Sequence, residues 1–65
     1  MKRQEIKRDL TRDYGYFMSQ HQIAQAFRIG KPRVRELMAD YDFRVEGKNH
    51  ARRYYVGDVA DAICR

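Results

Sequence analysis

Residues 19–41 read SQHQIAQAFRIGKPRVRELMADY, and this stretch decides the fold. It reads as two short helices joined by a tight turn. Ser19 is a good helix N-cap, because its hydroxyl can accept from a free first-turn amide. Gln22 stands three residues on, where a capping-box partner belongs, and Met18 and Ile23 occupy the two positions of a hydrophobic staple. The first helix runs from about residue 20 to 27, with Ile23, Ala24 and Phe27 on one face. Arg28, Ile29 and Gly30 break it. A second helix spans about residues 31–41, where Val34, Leu37, Met38 and Tyr41 recur as one helical stripe. Pro32 lies in its first turn, where a missing N–H costs nothing, and Gly30 is its N-cap.

The outer face of the second helix carries Lys31, Arg33 and Arg35, with Arg28 just before it and no acid until Glu36. Cations in the first turns oppose the helix macrodipole, which favours anions there. The arrangement makes sense if a polyanion lies against that end, as when a recognition helix enters a major groove. A solvated basic face is the plain alternative.

Beyond Tyr41 the periodicity changes from helical to alternating. Phe43 and Val45 against Arg44 and Glu46 form a short strand pattern, residues 47–50 (GKNH) a turn, and residues 52–56 (RRYYV) a second strand. On that second strand Tyr54 and Val56 share one face, Arg53 and Tyr55 the other. The result is a β-hairpin with three cations, Lys48, Arg52 and Arg53, and no acid between Gly47 and Gly57. Asn49 and His50 add neutral hydrogen-bonding groups. A basic hairpin beside a basic helix gives two footprints on one duplex. Val59, Ala62 and Ile63 predict a last helix that closes the core, with Asp58 and Asp61 near its start and Arg65 at its end, as the dipole prefers.

Upstream, Ile6, Leu10 and Tyr14 recur every four residues, which predicts a helix over about residues 3–13 docked by a narrow apolar edge. A mobile basic arm is the alternative, weakened by Glu5, Asp9 and Asp13. Tyr16 and Phe17 read as an apolar lead-in. The expected organisation is an N-terminal helix or arm, 1–17, and a reader, 18–65, within a single domain. The fold class is mainly α with a small β-hairpin, a winged helix-turn-helix.

A chain of 65 residues forms one small domain with little buried surface. It leaves no room for a cofactor pocket plus a catalytic apparatus, and none of the phosphate-loop, nucleophile-elbow or H-E-x-x-H patterns occurs. The expectation is a protein that is not an enzyme and takes no cofactor and no small-molecule ligand. His21, His50 and Cys64 lack the spacing of metal ligands, so no metal is expected. His21 reads as solvated; His50 could touch a phosphate. Hydrophobic content is 43 % without a membrane-length run, and MKRQEIKRDL has no apolar core behind its charges, so neither a membrane span nor a secretory signal is expected. With one cysteine, a cytoplasmic protein is the simplest expectation. Net charge is +5, which favours a nucleic acid as partner. The excess lies in residues 28–56, with eight cations and four acids. Most of the eight aromatics fall on apolar stripes and read as core, Tyr55 being the one assigned toward an interface because it shares a strand face with Arg53.

From Ile23 to Met38 the chain resembles the helix-turn-helix of the excisionase and MerR-type winged-helix families. Ile23-Ala24, Phe27, Ile29, Gly30, Val34, Leu37 and Met38 follow their pattern without a gap. Phe27-Arg28-Ile29-Gly30 with Val34-Arg35 and Leu37 resembles the small excisionases of conjugative transposons in particular. Arg53-Tyr54-Tyr55 and the D-V-x-x-A-I of the last helix resemble the wing and closing helix of the same group, so the likeness spans about residues 18–64. The chain departs from the pattern at Arg28, where many members carry glycine. A non-glycine residue costs about 1 kcal/mol there if φ is positive.

The resemblance implies that Lys31, Arg33 and Arg35 read the major groove and that the hairpin touches the minor groove or backbone. It also implies an architectural role, several copies binding repeated sites and bending DNA so that a recombinase or integrase can excise an element. The functional expectation is a sequence-specific double-stranded DNA-binding protein of the nucleoid, an excisionase of a mobile element or phage, or a small transcription regulator with the same reader. Arg33 and Arg35 are assigned to bases or groove floor, and Arg28, Lys31, Lys48, Arg52 and Arg53 to phosphates. A protein-binding winged helix, an RNA binder using the Tyr-bearing hairpin, and the reader of a longer chain are the rivals.

Overall fold

Ser19 ends a short strand and starts a helix, and the fold is arranged around that junction. The computed structural model describes residues 2–48 and 51–65. In chain order the elements are α1 (Arg3–Tyr14), β1 (Phe17–Ser19), α2 (Gln20–Phe27), α3 (Lys31–Leu37), β2 (Arg44–Glu46), β3 (Ala51–Tyr55) and α4 (Val56–Cys64). The described residues are thus mainly helical, with one small antiparallel sheet in the order β1-β3-β2.

The capping box at Ser19 forms in full. The Gln22 amide N–H donates to Ser19 Oγ at 3.1 Å, and Gln22 Oε1 accepts from the Ser19 N–H at 2.9 Å. Two first-turn donors are thereby satisfied. Met18 and Ile23, the staple pair, are both buried. At its other end α2 stops on Arg28, which adopts the left-handed conformation, φ 55°, ψ 48°. The Ile29 N–H then reaches back to the Ala24 carbonyl at 3.0 Å, a Schellman-type closure. Gly30 caps α3 and Pro32 sits in its first turn.

α3 is shorter than the apolar stripe predicts, ending at Leu37 rather than Tyr41. The chain continues through turns, with Tyr41 N–H bonded to the Met38 carbonyl at 3.1 Å. Tyr41 still packs on the core, because its hydroxyl donates to Asp61 of α4 and Arg65 lies 5.1 Å from its ring centroid. The stripe marks burial correctly while the backbone leaves the helix.

The sheet has one strand more than a hairpin. β1 pairs with β3 through Phe17–Tyr55, Met18–Tyr54 and Ser19–Arg53. β2 pairs with β3 through Arg44–Arg53, Val45–Arg52 and Glu46–Ala51. Successive residues alternate between faces, so Met18 and Tyr54 turn inward and are buried, while Phe17, Arg44, Arg53 and Tyr55 share the outer face. Tyr16, read from sequence as packed, is 68 % exposed. Val56 starts α4 instead of ending β3, and its N–H donates to the Tyr16 carbonyl at 2.9 Å. It is nonetheless buried, as strand alternation required. Gly57 follows because a Cβ there would lie 2.4 Å from the Tyr55 ring.

Residues from every helix, with Met18 and Tyr54 from the sheet, build the core: Ile6 and Leu10, Ile23, Val34 with Met38 just beyond α3, and Val56, Val59, Ala60 and Ala62. Each large side chain so buried contributes about 1.5–3 kcal/mol. The N-terminal segment is therefore a docked helix. α1 packs chiefly on α4, and Arg3 pairs with Asp61 at 2.7 Å. Arg44 and Val45 of β2 are not part of the buried cluster, and Phe43 and Val45 stay 44 % and 50 % exposed. β2 is the edge strand of the sheet and is held through its ladder to β3.

Candidate nucleic-acid interface

Val34 and Met38 turn inward from α3 and are buried, which forces Lys31, Arg33 and Arg35 outward. Lys31 and Arg35 are exposed, as is Arg28 at the turn. Arg33 donates to Glu36 at 3.1 Å, but the pair is i,i+3 on an open surface, with side chains 61 % and 69 % exposed. Such a pair is worth a few tenths of a kcal/mol, so it holds Arg33 only loosely. The hairpin contributes Arg52, whose guanidinium lies 4.4 Å from the Phe43 ring centroid, and Lys48, exposed in the turn after β2. Gly47, with φ 75°, makes that turn.

The first turns of α2 and α3 and the start of β3 enclose a groove of about 180 Å³, lined by Ser19, Gln20, His21, Lys31, Ala51 and Arg52. Lys31 from the helix pair and Arg52 from the hairpin thus face one space. Arg53 lies on the opposite, outer face of the sheet, half-buried. The sequence grouped Arg52 with Arg53; strand alternation separates them. Asn49 and His50 lie outside the described residues.

Carboxylates are distributed unevenly around the cations. Arg3 pairs with Asp61 at 2.7 Å, Arg12 with Asp13 at 3.2 Å and Asp9 at 3.6 Å, and Arg65 with Asp40 at 3.4 Å. These pairs sit on α1, on α4 and its C-cap, and on the turn after α3. Among the described residues, Arg28, Lys31, Arg35, Lys48 and Arg52 have no carboxylate partner. Lys2, Lys7, Arg8 and Arg44 have none either, so cations without a carboxylate partner lie on α1 as well, with the larger share on the turn, α3 and the hairpin.

The perturbed acids belong to the α1–α4 seam. The Tyr41 hydroxyl, and after it Arg3, hold Asp61 below the usual carboxylate range. The same bond raises the Tyr41 phenol. Burial, then Asp42 and Asp61, push Asp58 up. These groups tie α1, α4 and the end of α3 together.

Some surface residues were not read from sequence. Arg44 lies 5.0 Å from the Phe17 ring centroid, and Lys7 5.3 Å from that of Tyr55. Arg44 was legible from alternation with Val45, but Phe17 was not legible as its neighbour, because β1 is only three residues long. Gln20 and His21 line the groove, and nothing local marks them. Among the described residues no group of three or more His, Cys, Asp and Glu could hold a metal ion, and no helix is long and apolar enough to cross a membrane. Comparison with protein-family models, curated proteins and solved structures finds no match to the chain.

Proposed function

We propose that the chain is a winged helix-turn-helix protein that binds double-stranded DNA, with α3 as the recognition helix and the β2–β3 hairpin as the wing. The observation that carries this reading is the groove that Lys31 and Arg52, neither of them with a carboxylate partner among the described residues, line together. A helix seven residues long offers Arg33 and Arg35 to base edges in a major groove, and bidentate arginine is the commonest specific contact there. Arg28, Lys31, Lys48 and Arg52 fall to either side and suit the phosphates. Arg53, on the outer face of the wing, reaches only backbone that runs past that face.

Within this reading the biological role is that of an excisionase acting beside a recombinase, with further copies on repeated sites; a small transcription regulator is the alternative. The residues Ile23 to Met38 support both equally. Selection of bound duplexes from a random pool tests the proposal. Arg33→Ala should relax sequence preference, whereas Lys48→Ala should weaken all duplexes alike. Equal loss on selected and random duplex from both changes would remove the assignment of roles. Preference for single-stranded RNA over duplex, or capture of an acidic protein without any duplex binding, would remove the DNA reading itself. A selected pool with tandem repeats favours the architectural role.

A further inference from the structure

The groove between α2, α3 and β3 has a feature that the reading above does not use. The Gln20 Nε2 is enclosed and has no hydrogen-bond acceptor. An enclosed amide donor left unsatisfied is destabilising. Gln20 lines a groove whose other walls include Lys31, Arg52 and His21, all exposed, and to which no described residue contributes a carboxylate. The lining side chains include an ammonium, a guanidinium and an amide, and no carboxylate. What they lack is an anionic acceptor with several oxygens. At about 180 Å³ the groove is several times the ~30 Å³ share of a water, so a phosphodiester group fits.

We propose that Gln20, Lys31 and Arg52 form a single phosphate seat that grips one backbone phosphate of the bound duplex from the helix pair and the wing together. The inference rests on the DNA-binding reading for the source of the phosphate, but not for the chemistry of the seat. Lys31 and Arg52 then neutralise the same charge. His21, at the groove edge, supplies a further ring N–H. The seat fixes how far the wing stands from α3, and so sets where the hairpin meets the duplex relative to the bases under Arg33 and Arg35.

Shared use of one phosphate gives a signature that separate contacts do not. Counterion release lowers log K with log salt by about 0.9 for each phosphate neutralised on a duplex. Lys31→Ala alone and Arg52→Ala alone should leave the slope nearly unchanged, since the remaining cation still covers the phosphate. The double variant should reduce the slope by about 0.9. Each single change should cost only a few-fold in affinity, and the double more than the product of the two, because either cation alone still covers the phosphate. A slope reduction of about 0.9 for each single and about 1.8 for the double would show two phosphates, and would overturn the seat.

A second arm needs no DNA. Inorganic phosphate titrated into the labelled full chain should shift the Gln20 side-chain amide resonances saturably. Gln20→Met and the Lys31→Ala, Arg52→Ala double variant, both changed outside the buried core, should not respond at their remaining groove resonances. Saturation of Gln20 without duplex binding would keep the seat as a site for a free anion and remove the DNA reading. Duplex binding with additive variants and an unmoved Gln20 would remove the seat and keep the DNA reading. Silence in both arms would remove both.

Discussion

Arg28→Gly should make the protein more stable. Arg28 ends α2 at φ 55°, ψ 48°, where the Cβ of an L-residue crowds its own carbonyl at a cost of about 1–2 kcal/mol. The conformation cannot relax. The Ile29 N–H is bonded to the Ala24 carbonyl at 3.0 Å, and Ile29 packs on the core. Glycine removes the crowding but loses about 0.5–1 kcal/mol more backbone entropy on folding. The net gain is about 0.5–1 kcal/mol. For a domain of this size 1 kcal/mol corresponds to roughly 4–8 °C in melting temperature, so the midpoint should rise by about 2–8 °C. Thermal unfolding followed by circular dichroism measures it, with Arg28→Ala as the control. Alanine removes the charge and keeps the crowding, so that variant should melt at or below the wild-type temperature. A glycine variant no more stable than the alanine one would refute the reasoning. The positive φ explains why glycine suits this position, and an arginine there that costs stability makes sense if its charge is used. Both variants should therefore bind duplex DNA a few-fold more weakly.

Ile23→Ala empties a site that is 1 % exposed and should cost about 2–5 kcal/mol, enough to leave a domain this small largely unfolded in a urea titration. Ser19→Ala breaks the capping box and should cost about 0.5–2 kcal/mol by the same measurement. Asp61 is held low by Tyr41 and Arg3, so its contribution is complete above the ordinary value of 3.8 and is lost as pH falls through its lower folded value. Asp61→Asn should flatten that part of the acid limb in melting temperature against pH. Asp58, raised by burial, works in the opposite sense and loses its contribution as pH rises through its folded value, so Asp58→Asn should not reproduce the effect. Gly57→Ala should destabilise while Tyr55 is present, because the new Cβ meets its ring, and should gain up to about 1 kcal/mol in a Tyr55→Ala background.

The parts of the molecule that were legible are those fixed by neighbours in sequence. Ser19 and Gln22 satisfy each other across three residues, so the start of α2 follows from the chain alone. Val34 and Met38 likewise announce which side of α3 is buried. The end of α3 was not legible, because Tyr41 leaves the helix for partners in α4, Asp61 and Arg65, twenty residues and more downstream. β1 was missed for the same reason. Phe17–Ser19 is too short to show alternation and becomes a strand only by pairing with Arg53–Tyr55. Within the candidate interface the cations of α3 and the hairpin were legible as a charge excess. Their sharing of a groove with Gln20 was not, since that depends on how the hairpin folds back beside α2.

Binding to duplex DNA across a range of salt tests the central claim most directly. If the turn, α3 and the wing meet one duplex together, Arg28, Lys48, Arg53 and the Lys31–Arg52 pair neutralise about four phosphates and log K should fall against log salt with a slope of about −4. Absence of binding at low salt, or a slope indistinguishable from zero, would contradict it.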